Sequence, residues 1–144
     1  MFLTVTLNAA LDVTYEVGRL APGAMHRVGA PSERAGGKGI NVARVLRALG
    51  ETVCVTGFAG GLAGRAFRAD LSSAAIPAEL VTVVGETRRT VTVVETVTGE
   101  ATLLNEPGPQ PTNLWPTNRQ PTNPRPAGPS TRGRSATPLS QRTP

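Results

Sequence analysis

A change in composition at Gln110 limits how much of this chain can fold. Eight of the 13 prolines in the 144-residue sequence lie in residues 110–144, where a five-residue repeat beginning Pro-Thr-Asn accompanies Trp115, the only aromatic residue of that segment. Such a segment has too little apolar surface to offset the entropy that folding removes. We therefore expect residues 1–109 to hold one domain and residues 110–144 to be a disordered, Pro/Arg-rich tail.

The net positive charge of the chain is confined to that tail. Ten of the 15 Lys and Arg residues precede Gln110 and are balanced by ten Asp and Glu residues, whereas the tail has five arginines and no acid. A neutral body gives no electrostatic reason to bind nucleic acid. The single cysteine, Cys54, excludes a disulfide framework, and no apolar run approaches the ~20 residues that cross a bilayer. We expect a cytoplasmic protein without a membrane or nucleic-acid partner.

Strand-like and helix-like patterns alternate along residues 1–109. Runs rich in β-branched residues occur at Phe2–Leu7, Thr52–Gly57 and Glu79–Val84. Apolar residues recur with helical spacing in Arg34–Gly50 and Leu62–Ala75. This alternation predicts an α/β domain with a partly parallel sheet, in which the first run forms a central strand.

The sequence also predicts strands beside the main sheet. Val13–Val17 alternates between apolar and polar residues, and Met25–Glu33 does so more weakly. We expect these two strands to form a small β flap. Arg89–Thr98 and Ala101–Leu104 flank a turn at Gly99-Glu100, so they are expected to pair with each other.

A glycine cluster precedes the first helical pattern. Gly36, Gly37 and Gly39 surround Lys38, and the apolar residues that follow are Ile40, Val42, Ala43, Val45, Leu46 and Leu49. A glycine-rich turn that leads into a helix brings free N–H groups and the positive end of the helix dipole to one point, which favours an anion or a polar ligand. The spacing matches neither a phosphate loop nor a dinucleotide fingerprint. A tight connection without any ligand remains an equally good interpretation of the glycines alone.

Four motifs, taken in their order along the chain, resemble one family. The sequence is similar to the N-terminal half of ribokinase-like (PfkB) carbohydrate kinases, which implies half of a ribokinase-like sheet with flanking helices. Pro22–Val28 and Gly99–Pro109 look like the 1-phosphofructokinase branch of that family. The four motifs are T-L-N-A-A-L-D (Thr6–Asp12), G-G-K-G-I-N-V-A-R-x-L-x-x-L-G (Gly36–Gly50), T-G-F-x-G-x-x-x-G (Thr56–Gly64) and T-R-R-T (Thr87–Thr90).

The resemblance implies a substrate and a set of residues that bind it. Its members transfer phosphate from ATP, with Mg²⁺, to a sugar phosphate, and the 1-phosphofructokinase branch converts fructose 1-phosphate to fructose 1,6-bisphosphate. The residues implied to bind the sugar phosphate are Asp12, Gly36, Gly37, Lys38, Asn41 and Arg88.

The chemistry of these residues agrees with that implied role. A carboxylate accepts hydrogen bonds from sugar hydroxyls, glycines let the backbone approach the sugar, and Lys38 and Arg88 suit a phosphate. Considered singly, Asp12 could instead cap a turn, Asn41 could cap the helix, and Arg88 could be a solvated charge.

The C-terminal half of the family carries an N-x-x-E motif and a G-A-G-D motif, and neither occurs in this sequence. The second motif supplies the general base. We therefore expect no catalytic residue and no ATP or Mg²⁺ site here, as in a truncated or frameshifted kinase that is inactive alone and exposes apolar surface. A non-catalytic sugar-phosphate binding module and an interaction protein acting through the tail remain alternatives. By the same resemblance, the flap would form a homodimer.

Overall fold

The computed structural model describes residues 1–109, so the predicted tail lies outside the described residues. The elements are β1 (Phe2–Thr6), β2 (Ala10–Val17), β3 (Ser32–Gly36), α1 (Lys38–Ala48), β4 (Val53–Ala59), α2 (Gly61–Ser73), β5 (Ala78–Thr82), β6 (Arg88–Glu95) and β7 (Ala101–Asn105). A main sheet of order β1-β4-β5 is entirely parallel. A flap sheet of order β3-β2-β6-β7 is mixed. The predicted α/β class is confirmed.

Both helices pack on one face of the main sheet, where they form the core. Every second residue of β4 is buried on this face, as expected for a strand covered on one side. Neither helix in residues 1–109 is long and apolar enough to span a bilayer. The buried side chains that meet in this core include Ile40 and Ala43 from α1, Phe67 and Leu71 from α2, and Val53, Val55 and Ala59 from β4.

No described element covers the other face of the main sheet. Leu3 and Val5 of β1 point to it and are 62% and 56% exposed, whereas Thr4 and Thr6 on the helix side are buried. Within residues 1–109, β1 pairs only with β4 and therefore forms an edge of the sheet. The prediction of a central strand is wrong for this part of the chain, because a pattern of buried residues along one strand does not show how many neighbours that strand has.

The apolar face of α1 is narrower than its sequence pattern indicates. Leu49 was predicted to lie on that face and Val42 and Val45 to widen it, but these three side chains are 73%, 51% and 60% exposed. The helix contacts β1, β4 and β3, which lie on one side of it. Leu62 at the start of α2 also faces solvent, so a pattern of helical spacing overestimates burial where an element is covered on one side only.

Within residues 1–109 the flap sheet has four strands rather than the two that were predicted, and the predicted strand Met25–Glu33 is wrong. Met25–Glu33 is mostly irregular, and the strand begins only at Ser32, where β3 pairs antiparallel with β2. The weak alternation in this segment is broken by Gly29 and Pro31. The predicted hairpin of β6 and β7 is confirmed, and β6 joins the flap by pairing in parallel with β2.

One carboxylate links β3 to both helices. Asp70 of α2 accepts a hydrogen bond of 2.8 Å from the backbone N–H of Ala35 and forms an ion pair with Arg44 of α1. The side chains of Arg44 and Asp70 are only 16% and 28% exposed. A charge-assisted pair in such a position holds the two helices at a fixed distance from the flap sheet.

The open face and free edge of the main sheet should cause self-association. We predict that Val5→Lys raises the monomer fraction of the purified protein, because a charge on an edge strand disfavours pairing with another strand. Static light scattering as a function of protein concentration measures the effect. Val84→Lys is the matched control, since Val84 is 78% exposed but lies outside the strands. An equal effect of both substitutions would show that added charge alone, rather than the edge, is responsible.

Candidate functional site

The chain crosses between the main sheet and the flap sheet at three places in residues 1–109. β1 leads to β2 through residues 7–9, β3 leads to α1 through Gly37, and β5 leads to β6 through residues 83–87. Each residue of the predicted site lies at one of these crossings or within a few residues of it. The crossings therefore gather side chains that are far apart in the sequence.

Asp12, Gly36 and Arg88 lie on the same face of the flap sheet. Gly36 of β3 and Arg88 of β6 both pair in register with Ala10 of β2. Paired strand residues share a face, and so do residues two positions apart, which places Asp12 beside them. The structure thus brings together three of the six predicted binding residues.

Asp12 and Gly36 are in contact. A Cβ atom on Gly36 would overlap the carboxyl group of Asp12, so glycine at this position lets the carboxyl group lie against the backbone of β3. Asp12 lies within β2 and is half-buried. This position excludes the alternative that Asp12 caps a turn. A carboxylate held on the sheet surface next to bare backbone is suited to accept hydrogen bonds from hydroxyl groups.

The other glycines bring the start of α1 close to β1. Gly37 has a φ of 120°, which disfavours any side chain, and its Cβ would lie 2.7 Å from the methyl carbon of Thr6. A Cβ on Gly39 would lie 3.0 Å from the carbonyl oxygen of Val5. The first turn of α1 has neither a side-chain cap nor an acidic residue. Its N–H groups and positive dipole end are therefore available to an anion or a polar ligand.

Lys38 and Asn41 lie three residues apart on α1, and both are exposed. This spacing places them on one side of the helix. The N–H of Asn41 donates to the carbonyl of Gly37 at 3.0 Å, and Gly37 occupies the N-cap position, so Asn41 is not the helix cap. The ion pairs within residues 1–109 involve Arg44 and Arg89, so they do not join Lys38 to Asp12.

Arg88 and Arg89 point to opposite faces of the flap sheet, because successive residues of a strand alternate. Arg89 forms an ion pair of 2.9 Å with Glu106, and this bond lowers the pKa of the Glu106 carboxyl. Arg88 is half-buried and donates to uncharged oxygens, at 3.4 Å to the carbonyl of Asn8 and at 3.2 Å to the hydroxyl of Thr90. The alternative of a fully solvated charge is excluded for Arg88, and these two contacts leave its charge uncompensated.

The turn before Arg88 is fixed to the start of α2. The carboxylate of Glu86 accepts hydrogen bonds from the N–H groups of Leu62 and Ala63 at 3.0 and 3.1 Å. The Ala63 and Leu62 bonds hold the pKa of Glu86 below its ordinary value. The hydroxyl of Thr87 accepts a hydrogen bond of 3.0 Å from the N–H of Gly60.

A cavity of about 370 Å³ lies on the opposite face of the flap sheet. Leu11 and Arg89, which pair in register, line it together with the first turns of α2. None of the predicted binding residues lines this cavity. Of its charged groups, Arg89 is paired with Glu106 and Glu86 is bonded to the start of α2, and the cavity is distinct from the polar surface around Asp12.

Sequence reasoning did not identify Glu86 and Thr87. Their partners at residues 60–63 are remote in sequence, and no local spacing links the two segments. The only available signal was the adjacency of Glu86 and Thr87 to Arg88 in the T-R-R-T motif. Within the described part of the chain, no group of three or more His, Cys, Asp or Glu residues could hold a metal ion.

Comparison with a family model supports the resemblance. The model of the pfkB family carbohydrate kinases matches residues 5–121, a range that continues past the predicted domain boundary at Pro109.

Three solved structures that this chain resembles carry the name phosphofructokinase. Phosphofructokinase-2 from Escherichia coli in complex with fructose-6-phosphate is 30% identical with a TM-score of 0.71, over 75% of this chain and 35% of that one. Its tetrameric inhibited form is 31% identical with a TM-score of 0.70, over 74% and 35% of the two chains. The possible 1-phosphofructokinase of Thermotoga maritima is 35% identical with a TM-score of 0.70, over 76% and 36%.

The present chain thus spans about a third of the length of these structures. Their fold confirms that residues 1–109 form the N-terminal part of a ribokinase-like fold.

Glu86 should make stability depend on pH. Because the pKa of Glu86 is lower in the folded protein than the ordinary 4.5, its contribution is present at neutral pH and is lost as the pH falls through the lowered value. The drop in the urea midpoint between pH 7 and pH 3 should therefore be smaller for Glu86→Gln than for the wild type. Glu51→Gln, at an exposed position without an assigned bond, is the control. Equal drops in all three proteins would contradict the role of Glu86.

Proposed function

Since the chain belongs to the pfkB family of carbohydrate kinases, we propose that residues 1–109 form a sugar-phosphate binding unit of such a kinase. The observation that carries the proposal is the shared face of Asp12, Gly36 and Arg88 beside the first turn of α1. This surface offers a carboxylate for hydroxyl groups and positive charge for a phosphate within one small region.

Each predicted residue has a distinct role in the proposed complex. Asp12 accepts hydrogen bonds from sugar hydroxyls, and Gly36 and Gly37 leave the backbone bare where the sugar lies. Asn41 both donates to and accepts from a hydroxyl. Lys38 and Arg88 bind the phosphate, Arg88 through two parallel N–H groups and Lys38 as a point charge.

We infer that the ligand is fructose 1-phosphate. The sequence motifs at Pro22–Val28 and Gly99–Pro109 support the 1-phosphofructokinase branch, and one similar structure carries that description. The complex of the E. coli phosphofructokinase-2 contains a different phosphate ester of the same sugar, fructose-6-phosphate. The single cysteine and the neutral body agree with a cytoplasmic enzyme unit of this kind.

We also propose that this chain binds its ligand without phosphorylating it. Phosphoryl transfer depends on positioning of the nucleotide and on stabilisation of the charge that moves with the phosphate. ATP and Mg²⁺ would supply that chemistry in the family. The proposal is supported by the sequence, since neither the N-x-x-E nor the G-A-G-D motif occurs in the 144 residues. The proposed role of residues 1–109 is therefore to bind and orient the sugar phosphate.

Titration calorimetry with fructose 1-phosphate and with fructose tests the binding site. The wild type should bind the phosphorylated sugar more tightly, and Arg88→Ala should reduce this preference about tenfold or more, since a charge-assisted bond is worth about 1.5–3 kcal/mol. Arg89→Ala removes the same charge from the opposite face and should leave the preference intact. A wild type that binds neither sugar, or an equal loss in both variants, would overturn the proposal.

ATP consumption above a protein-free blank would refute the absence of turnover.

The flap sheet supports a proposal about assembly. Val91 and Leu104 pair in register across β6 and β7 and form an apolar row on the face opposite Asp12, next to Val13 of β2, which is itself only 4% exposed. Leu104 is 59% exposed. We propose that two copies of the chain dimerise by packing these rows together, because a second identical row offers a matching apolar surface. The tetrameric form of the E. coli phosphofructokinase-2 shows that a similar fold assembles from several copies.

Substitution on each face of β7 tests the proposed dimer. In the Val5→Lys background, which limits association through β1, Leu104→Glu should convert a discrete dimer to a monomer in sedimentation velocity. Leu103→Glu is the matched control, because Leu103 is 56% exposed and points to the other face. This interface would be excluded if the Val5→Lys protein with an unchanged flap sheet were monomeric at all concentrations, or if its dimer persisted after Leu104→Glu.

A further inference from the structure

We propose that Glu86 and Thr87 are positioning residues for Arg88, because they fix the turn before β6 to the start of α2. The inference rests on the proposed function, in which Arg88 binds the phosphate of the sugar. It assigns part of the phosphate preference to two residues that do not belong to the predicted binding set.

Thr87 is a polar residue in a fully buried position. It is 2% exposed and belongs to the largest fully buried side chains of residues 1–109. Its N–H donates to the carbonyl of Gly60 at 2.9 Å, and its hydroxyl accepts from the N–H of Gly60 at 3.0 Å. Buried hydroxyls are nearly always hydrogen-bonded, and this reciprocal pair satisfies both backbone groups of Gly60. The bonds fix the position of Thr87 relative to α2.

Glu86 forms the second half of the same attachment. α2 has no side-chain cap from its own sequence, and its first N–H groups bind the carboxylate of Glu86 instead. A Cβ on Gly61 would overlap this carboxyl group, and Gly61 has a φ of 66°. The start of α2 is therefore shaped to receive Glu86, and four hydrogen bonds join residues 86–87 to residues 60–63.

The attachment of residues 86–87 to the start of α2 fixes the position of Arg88. β6 begins at Arg88, so the ladder with β2 holds the chain only from this residue onward. The bonds of Glu86 and Thr87 hold the chain immediately before it. The hydrogen bonds of the guanidinium itself are long, at 3.4 and 3.2 Å, and go to uncharged partners. The backbone before Arg88 therefore determines where its charge lies relative to Asp12 and α1.

The test compares affinities for fructose 1-phosphate and for fructose in the full chain. Thr87→Val removes the buried hydroxyl while keeping the shape of the side chain. It should reduce the preference for the phosphorylated sugar about tenfold and leave the affinity for fructose nearly unchanged, since only the phosphate contact of Arg88 is displaced. Thr87→Ser keeps the hydroxyl and should retain the preference.

Thr56→Val is the matched structural control. The hydroxyl of Thr56 donates to the carbonyl of Glu79 at 2.7 Å and so also links two segments, but these segments are β4 and β5 of the main sheet, and the bond includes none of residues 86–88. This variant should lower the unfolding midpoint without changing the preference. Circular dichroism checks that each variant is folded.

Glu86→Ala provides a second variant if Thr87→Val does not fold, because Glu86 is exposed and its removal leaves no cavity. It should also reduce the preference for the phosphorylated sugar selectively. Equal weakening for both sugars in the folded variants would show a merely structural role, and unchanged affinities for both sugars would exclude any role. A wild type without a phosphate preference would overturn the proposed function, and with it this inference, whereas the other two outcomes leave the proposed function intact.

Discussion

The close approach of β3 to β2 and of the start of α1 to β1 is the constraint on which the rest of the structure depends. Gly36 leaves room for the carboxyl group of Asp12, and Gly37 and Gly39 leave room for Thr6 and Val5. A side chain at Gly36 would displace the carboxyl group of Asp12, and one at Gly37 or Gly39 would push the start of α1 away from β1. The same lack of side chains that permits the fold also leaves bare backbone beside Asp12, so fold and candidate site share one cause.

Ion pairing and the alternation of side chains along a strand together determine where unpaired charge lies on residues 1–109. Arg44 and Arg89 each have a carboxylate partner, in Asp70 and Glu106. Arg88 is adjacent to Arg89 in the sequence, but its side chain lies on the opposite face of the flap sheet and contacts neutral oxygens. A body with no net charge therefore still presents local positive charge on the face that carries Asp12, which global composition does not reveal.

Local patterns predicted the elements whose partners are close in sequence. The helix from Lys38 to Ala48 and the hairpin around Gly99-Glu100 agree with the sequence pattern. The strand Ser32–Gly36 was missed, because its residues acquire strand geometry by pairing with β2 and contain the glycine that must contact Asp12. The residues of the candidate site were predicted through the family resemblance. That Gly36 and Arg88 share a face of the flap sheet follows from the register in which β3 and β6 pair with β2, and residue spacing within the sequence does not reveal this register.

The parallel pairing of β2 with β6 has a consequence for synthesis on the ribosome. All strands of the main sheet precede residue 83, so β1, β4 and β5 with both helices can assemble as soon as they leave the exit tunnel. β2 emerges early but must wait for Arg88–Glu95 before its second neighbour exists. Its half-buried Asp12 and apolar Val13 remain without that neighbour until β6 has emerged, and closing so long a loop is slow. The surface proposed to recognise the sugar phosphate thus matures after the main sheet, and only β7 is added to the flap sheet later.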